Sequence, residues 1–178
     1  MKFRRLAEYF EKIEKTASRL EMTRLLAELF KEVRPEEIDL AVYLSLGMMR
    51  PKFEGIEFNL AEKMMLRVVS VGYKVELKTV TEEYKKTGNF GDILRLRTFE
   101  HLRVRNLLRE LTVAQVYKRL MDIAVDEGQG SQERKVNNAA KLLNDLDCLS
   151  AGYVVRIPIN NLRLGFSDMT VLDALSWM

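Results

Sequence analysis

Cysteine, histidine and proline are scarce in this chain: 178 residues hold one cysteine, one histidine and three prolines. One cysteine excludes an internal disulfide, and one Cys with one His is too few for a zinc site, which takes about four such ligands. A pairing of Cys148 with His101 is formally open to nucleophilic chemistry. However, Cys148 lies between helical patterns and reads as a small buried hydrophobe. One histidine gives no Ser/His/Asp set, and no Gly-rich loop of the GxxxxGK type is present to cradle phosphates. No apolar run approaches the roughly 20 residues that span a bilayer. Met1 to Arg5 is basic but leads into an amphipathic pattern, whereas a signal peptide would continue as an unbroken apolar stretch. The protein is therefore placed inside the cell.

What is present is a globular composition, 47% apolar and 31% charged, with a net charge of +3. The distribution of charge is more telling than its total. Arg95, Arg97, Arg103, Arg105 and Arg109 form one basic cluster and Arg134-Lys135 another. The acidic pairs Glu36-Glu37 and Glu82-Glu83 fall where helices begin, which suits dipole complementation better than acid-base chemistry.

The periodicity is helical nearly throughout and predicts an all-α fold, a compact domain of about nine or ten helices spanning 1–178. Phe3, Leu6, Ala7, Phe10 and Ile13 form one face, and Met22, Leu25, Leu26, Leu29 and Val33 a second after a break at Ser18. Pro35 opens a third helix that Gly47 closes. Residues 50–58 read as a loop, with Asn59 capping a helix whose face is Leu60, Met64, Val68 and Val71. Thr79 or Thr81 caps a short helix ending near Gly88, and Asn89 to Gly91 form another turn. The 93–110 segment reads as a helical or irregular connector. Thr112 caps a helix carrying Val113, Val116, Tyr117 and Leu120, and Ser131 caps the next. Ser150 starts a short helix interrupted by Pro158, and Ser167-Asp168 starts the last, with Val171, Leu172 and Leu175 on its face.

Two turns look suited to phosphate. In the first, Gly128 to Gly130 leads into a helix whose opening residues include Ser131, Gln132, Arg134 and Lys135. Open amides at a helix start attract anions, and cations placed there oppose the helix dipole unless an anionic partner offsets the cost. The plain alternative is an ordinary capped helix with solvated charges. In the second, Asn160-Asn161-Leu162-Arg163-Leu164-Gly165 sets an arginine in a turn flanked by asparagines and a glycine. That composition suits backbone or minor-groove contact, and the plain alternative is a helix–helix turn with one exposed arginine.

The same segments carry a resemblance. Gly-Ser-Gln-x-Arg-Lys at 130–135, Leu-Arg-Leu-Gly at 162–165 and Asp-x-Thr-Val-Leu-Asp-Ala-Leu at 168–175 resemble the N-terminal DNA-binding domain of archaeal and eukaryotic ATP-dependent DNA ligases. Glu14 to Met22, Phe53-Glu54-Gly55-Ile56-Glu57, Lys86 to Gly91 and Leu111-Thr112-Val113 with Val116-Tyr117 are similar to that family in the same order. The resemblance implies an all-α domain that grips the minor-groove side of nicked double-stranded DNA in replication and repair. Ser131, Gln132, Arg134, Lys135, Asn161, Arg163 and Gly165 are then the expected DNA contacts. It also implies a monomer that is cytoplasmic and nucleoid-associated, or nuclear in a eukaryote. The family's adenylated lysine lies in a Lys-x-Asp-Gly motif that does not occur here. The resemblance therefore implies a non-catalytic piece, an excised domain or a truncated product, without adenylation or OB-fold domains. No cofactor is expected in this chain, ATP and Mg²⁺ being expected only of a complete ligase. Archaeal members often carry a sliding-clamp peptide near 95–110, where residues 103–108 here read Arg-Val-Arg-Asn-Leu-Leu. Two rivals stand beside this reading. One is a helical protein-interaction module for a sliding clamp or repair factor, using the 93–110 segment. The other is a self-standing nucleotidyl transferase, which would form a covalent adduct with ATP.

Overall fold

The structure, a computed structural model, describes residues 1–96 and 110–178. Most of the first basic cluster and the 103–108 segment lie outside the described residues. The described residues contain ten α-helices and no strand beyond a single bridge between Lys2 and Thr112. The helices are α1 (Phe3–Glu14), α2 (Arg19–Glu32), α3 (Ile38–Ser45), α4 (Glu62–Tyr73), α5 (Leu77–Thr87), α6 (Phe90–Arg95), α7 (Val113–Ala124), α8 (Ser131–Asn144), α9 (Cys148–Val154) and α10 (Asp168–Ser176). No described helix is long and apolar enough to cross a membrane.

α1 is the centre of the core. Its predicted face, Phe3, Leu6, Ala7, Phe10 and Ile13, is fully buried against α2, α7 and α9. Phe10 meets the Tyr153 ring edge-on at 5.4 Å, a geometry that aromatic quadrupoles favour. α4 packs along α8, and α10 lies across α2. α6 and α9 approach closely because each contributes a glycine: a Cβ on Gly91 would sit 3.1 Å from the Gly152 carbonyl oxygen.

Several helix starts differ from the sequence expectation. Ser18 does cap α2, accepting from the Glu21 amide, and Thr112 forms a full capping box with Gln115. Asn59 caps nothing. It adopts a left-handed conformation (φ 52°), and α4 begins at Glu62, so its buried face is Met65, Val68, Val69 and Tyr73, with Val71 exposed. α5 starts at Leu77, ahead of both candidate threonines, and the Thr81 hydroxyl donates to the Leu77 carbonyl inside the helix. The cap of α8 is Gly130 and not Ser131. α9 is capped by Asp147, which accepts from the Leu149 and Ser150 amides, so Ser150 lies inside the helix and Cys148 opens it half-buried. Ser and Asn offer cap oxygens in many places, and packing decides which is used. α9 ends at Val154, ahead of Pro158, and residues 155–160 continue as turns. On α10 the buried side is Thr170, Val171 and Ala174, leaving Leu172 exposed.

Gly91→Ala is expected to lower unfolding free energy by about 1–3 kcal/mol, because its methyl meets backbone and not a flexible side chain. Urea denaturation of the variant against the parent measures this.

Candidate nucleic-acid interface

The 160–165 turn is built on an ion pair between the buried Arg156 and the more exposed Glu14. Arg156 is 4% exposed; its Nη1 donates to Glu14 Oε1 at 2.7 Å and its Nε to the Gly152 carbonyl at 3.1 Å. The Tyr153 hydroxyl donates to the other Glu14 oxygen at 2.9 Å. Burial pushes the Glu14 carboxyl up, but Arg156 overcomes that and holds it below the usual carboxylate range. The Arg156 carbonyl in turn accepts from the Asn161 amide at 2.9 Å, which fixes the base of the turn. Beyond it the chain alternates. Leu162 and Leu164 are buried, while Arg163 and Gly165 face outward. Leu162 packs on Gly47 and Gly165 sits over Met22 of α2.

Asn160 (φ 51°), Arg163 (φ 46°) and Gly165 (φ 82°) all adopt the left-handed conformation. For an arginine this costs about 1–2 kcal/mol, and it persists only because the flanking leucines are locked in the core. Among the described residues every arginine except Arg34 and Arg163 has a carboxylate within 4.0 Å. Arg163 is thus exposed and strained, without a carboxylate partner among the described residues. Its charge acts against the upward push that burial and the Glu62 hydrogen bond give the Tyr84 hydroxyl, whose pKa rises to about 12. The Asn161 Oδ1 is buried without a partner among the described residues.

The α8 turn departs from expectation at both cations. Lys135 is 3% exposed, and its Nζ donates to the Phe58 carbonyl at 2.8 Å and the Ala124 carbonyl at 3.3 Å. Its ammonium points inward and joins α8 to the end of α7 and to the loop before α4. Arg134 folds back on its own turn, reaching Asp126 at 2.6 Å and the carbonyls of Gln129 and Glu127. Asp126 is thereby held below its usual range, mainly by Arg134. The anionic partner that offsets the unfavourable dipole is supplied from within the chain. Gly130 allows this closure, since a Cβ there would stand 3.3 Å from the Arg134 guanidinium. Ser131 is half-buried and Gln132 exposed, and no side chain caps the helix. The outward chemistry of this turn is therefore open amides, Gln132 and the exposed Glu133, which Arg67 pairs at 2.6 Å.

The two turns are linked by residues 47–61, of which sequence reasoning read 50–58 as a loop, Gly47 and Asn59 as helix caps and Leu60 as part of a helix face. It touches Leu162 at Gly47 and Lys135 at Phe58. With Ile157 to Asn160 it encloses an open groove of about 720 Å³. Pro51 and Gly55, which bracket an aromatic within a polar stretch, were the available signal.

The described fold is thus a helical module that carries two turns linked by residues 47–61, one with an arginine that has no carboxylate partner among the described residues and one at a helix start that no side chain caps. Residues 2–176 match the family described as DNA ligase N terminus, and the chain belongs to that family. It is 45% identical to DNA ligase 2 of Thermofilum pendens, over 96% of this chain and 30% of that protein. It is 40% identical to the probable DNA ligase of Dictyoglomus thermophilum, over 99% of this chain and 29% of that protein. Identity to the DNA ligase of Nitrosopumilus maritimus is also 40%, over 99% of this chain and 30% of that protein. The chain spans about three-tenths of the length of the relatives it matches.

Two outcomes test the supports of these turns. Lys135→Met leaves the Phe58 and Ala124 carbonyls without their donor and is expected to cost about 1–3 kcal/mol in urea denaturation. Glu14→Gln leaves the Arg156 charge uncompensated. Because the folded pKa of Glu14 is depressed, its contribution is present above the unfolded value of 4.5 and fades as pH falls through the lower folded value. A melting-temperature series should show the parent losing stability below about pH 4.5 more steeply than the variant.

Proposed function

We propose that this chain binds nicked double-stranded DNA as the non-catalytic N-terminal domain of an ATP-dependent DNA ligase, working in replication and repair. The observation that carries the reading is Arg163: a guanidinium held outward in a strained left-handed turn, between two buried leucines, with no carboxylate partner among the described residues. Strain of this kind is retained where a function needs the geometry. Membership of the DNA ligase N terminus family supports the choice of DNA as partner. Arg163 would contact a backbone phosphate or the minor-groove edge, with Asn161 and Gly165 shaping the approach. Ser131, Gln132 and the open α8 amides would take a second phosphate. Arg134 would contribute only by sharing its charge with Asp126, and Lys135 would act from beneath by holding the adjoining loop. Such contacts read no sequence, as sealing of arbitrary nicks demands. A complete ligase would bring the adenylated lysine, ATP and Mg²⁺ elsewhere in its chain.

Fluorescence anisotropy with a nicked duplex, across a salt series and against single-stranded DNA, is the test. Salt-sensitive binding that favours duplex is expected. Arg163→Gly is expected to weaken it and to lower the salt slope by about 0.9, while raising fold stability by about 1 kcal/mol as the left-handed strain is relieved. Failure of the parent chain to bind duplex at low salt would remove the reading and favour a protein-interaction module.

A further inference from the structure

The loop between the two turns is held at both ends and bare in the middle. The Tyr117 hydroxyl of α7 donates to the Met49 carbonyl, and Lys135 holds the Phe58 carbonyl at 2.8 Å. Between these pins Lys52–Glu54 form a 3-10 turn, closed by the Glu54 amide on Pro51 at 3.0 Å and the Gly55 amide on Lys52 at 3.2 Å. Gly55 then reverses the chain in a left-handed conformation (φ 66°). At the tip stands Phe53, 89% exposed. Lys52 beside it is exposed and has no carboxylate partner among the described residues, and Arg50 reaches Glu54 only at 4.0 Å.

A phenyl ring in open water forgoes the stabilisation that burial gives, and a pinned turn has already lost the conformational freedom that binding would otherwise cost. The ring is therefore presented in advance of any partner. Its position indicates which partner. The loop leaves the Arg163 turn at Gly47 and arrives under the α8 turn at Phe58, so a rod-like ligand touching both turns also lies over the segment between them. Asn59 and Asn160, both left-handed, line the groove that this loop borders.

We propose that the 47–61 loop is a third contact with duplex DNA, in which Lys52 meets a backbone phosphate and the Phe53 ring lies against sugars and base edges in the minor groove. Apolar side chains serve in this way in proteins that grip DNA without reading its sequence. The proposal rests on the duplex-binding reading given above.

The test uses the same nicked duplex with the parent chain, Phe53→Ala, Lys52→Ala and Phe53→Trp. Both side chains are exposed, so unchanged melting temperatures are expected and folding does not confound the result. Phe53→Ala should weaken binding roughly tenfold with the salt slope unchanged. Lys52→Ala should lower the slope by about 0.9. Phe53→Trp should retain binding, with its emission quenched on DNA above the background of Trp177. If the parent binds and the Ala variants match it in affinity and slope, the loop faces away from the duplex and the proposal is overturned. Failure of the parent arm itself defeats the underlying reading, and is visible before any variant is compared.

Discussion

Much of this surface depends on one buried ammonium. Lys135 lies just past the first turn of a helix, near the positive end of its dipole, with almost no contact with water and, among the described residues, no carboxylate bonded to it. Such a charge survives only if something opposite in sign is close. Two sources are. Ala124 is the last residue of α7, so its carbonyl stands at that helix's negative end. Asp126 lies just beyond, and the Lys135 charge helps to hold its carboxyl low. The third element is the Phe58 carbonyl, which brings the 47–61 loop into the arrangement. One side chain thus fixes the relation between two helices and the loop that separates the candidate DNA contacts.

The 160–165 turn obeys a similar logic with different chemistry. Its base hangs on Arg156, whose charge is balanced by Glu14 at the end of α1. Its body is held by two leucines. Anchored at three points, the chain has no freedom to relax Arg163 into an ordinary conformation. Rigidity here is inherited from the core, and the outward arginine is pre-oriented without cost at the moment of binding.

The parts legible in the sequence were those set by local pattern. The faces of α1 and α7 follow a clear period with no competing signal, and the Thr112 capping box is written in four consecutive residues. The turn around Arg163 was visible from its asparagines and glycine. What escaped was set by contacts far apart in the chain. Nothing near Lys135 in sequence shows that its ammonium turns inward, because the acceptors are 77 and 11 residues away. Arg134 looked free because Asp126, eight residues earlier, lies across a glycine turn whose closure only the fold reveals. The loop at 50–58 was legible, but its link to the two turns was not, for the same reason: it lies in what the ends of 47–61 touch.

These corrections change the kind of binding surface the chain can offer. Its arginines are almost all matched to carboxylates among the described residues, and the net charge is only +3. Counterion release through the described arginines therefore has few phosphates to act on. What remains is shape: left-handed turns that bring backbone and small side chains close, an open helix start, and groups whose positions are fixed in advance. A surface of that kind gains little from any particular base and much from a groove of regular width, which is the property that every stretch of duplex shares.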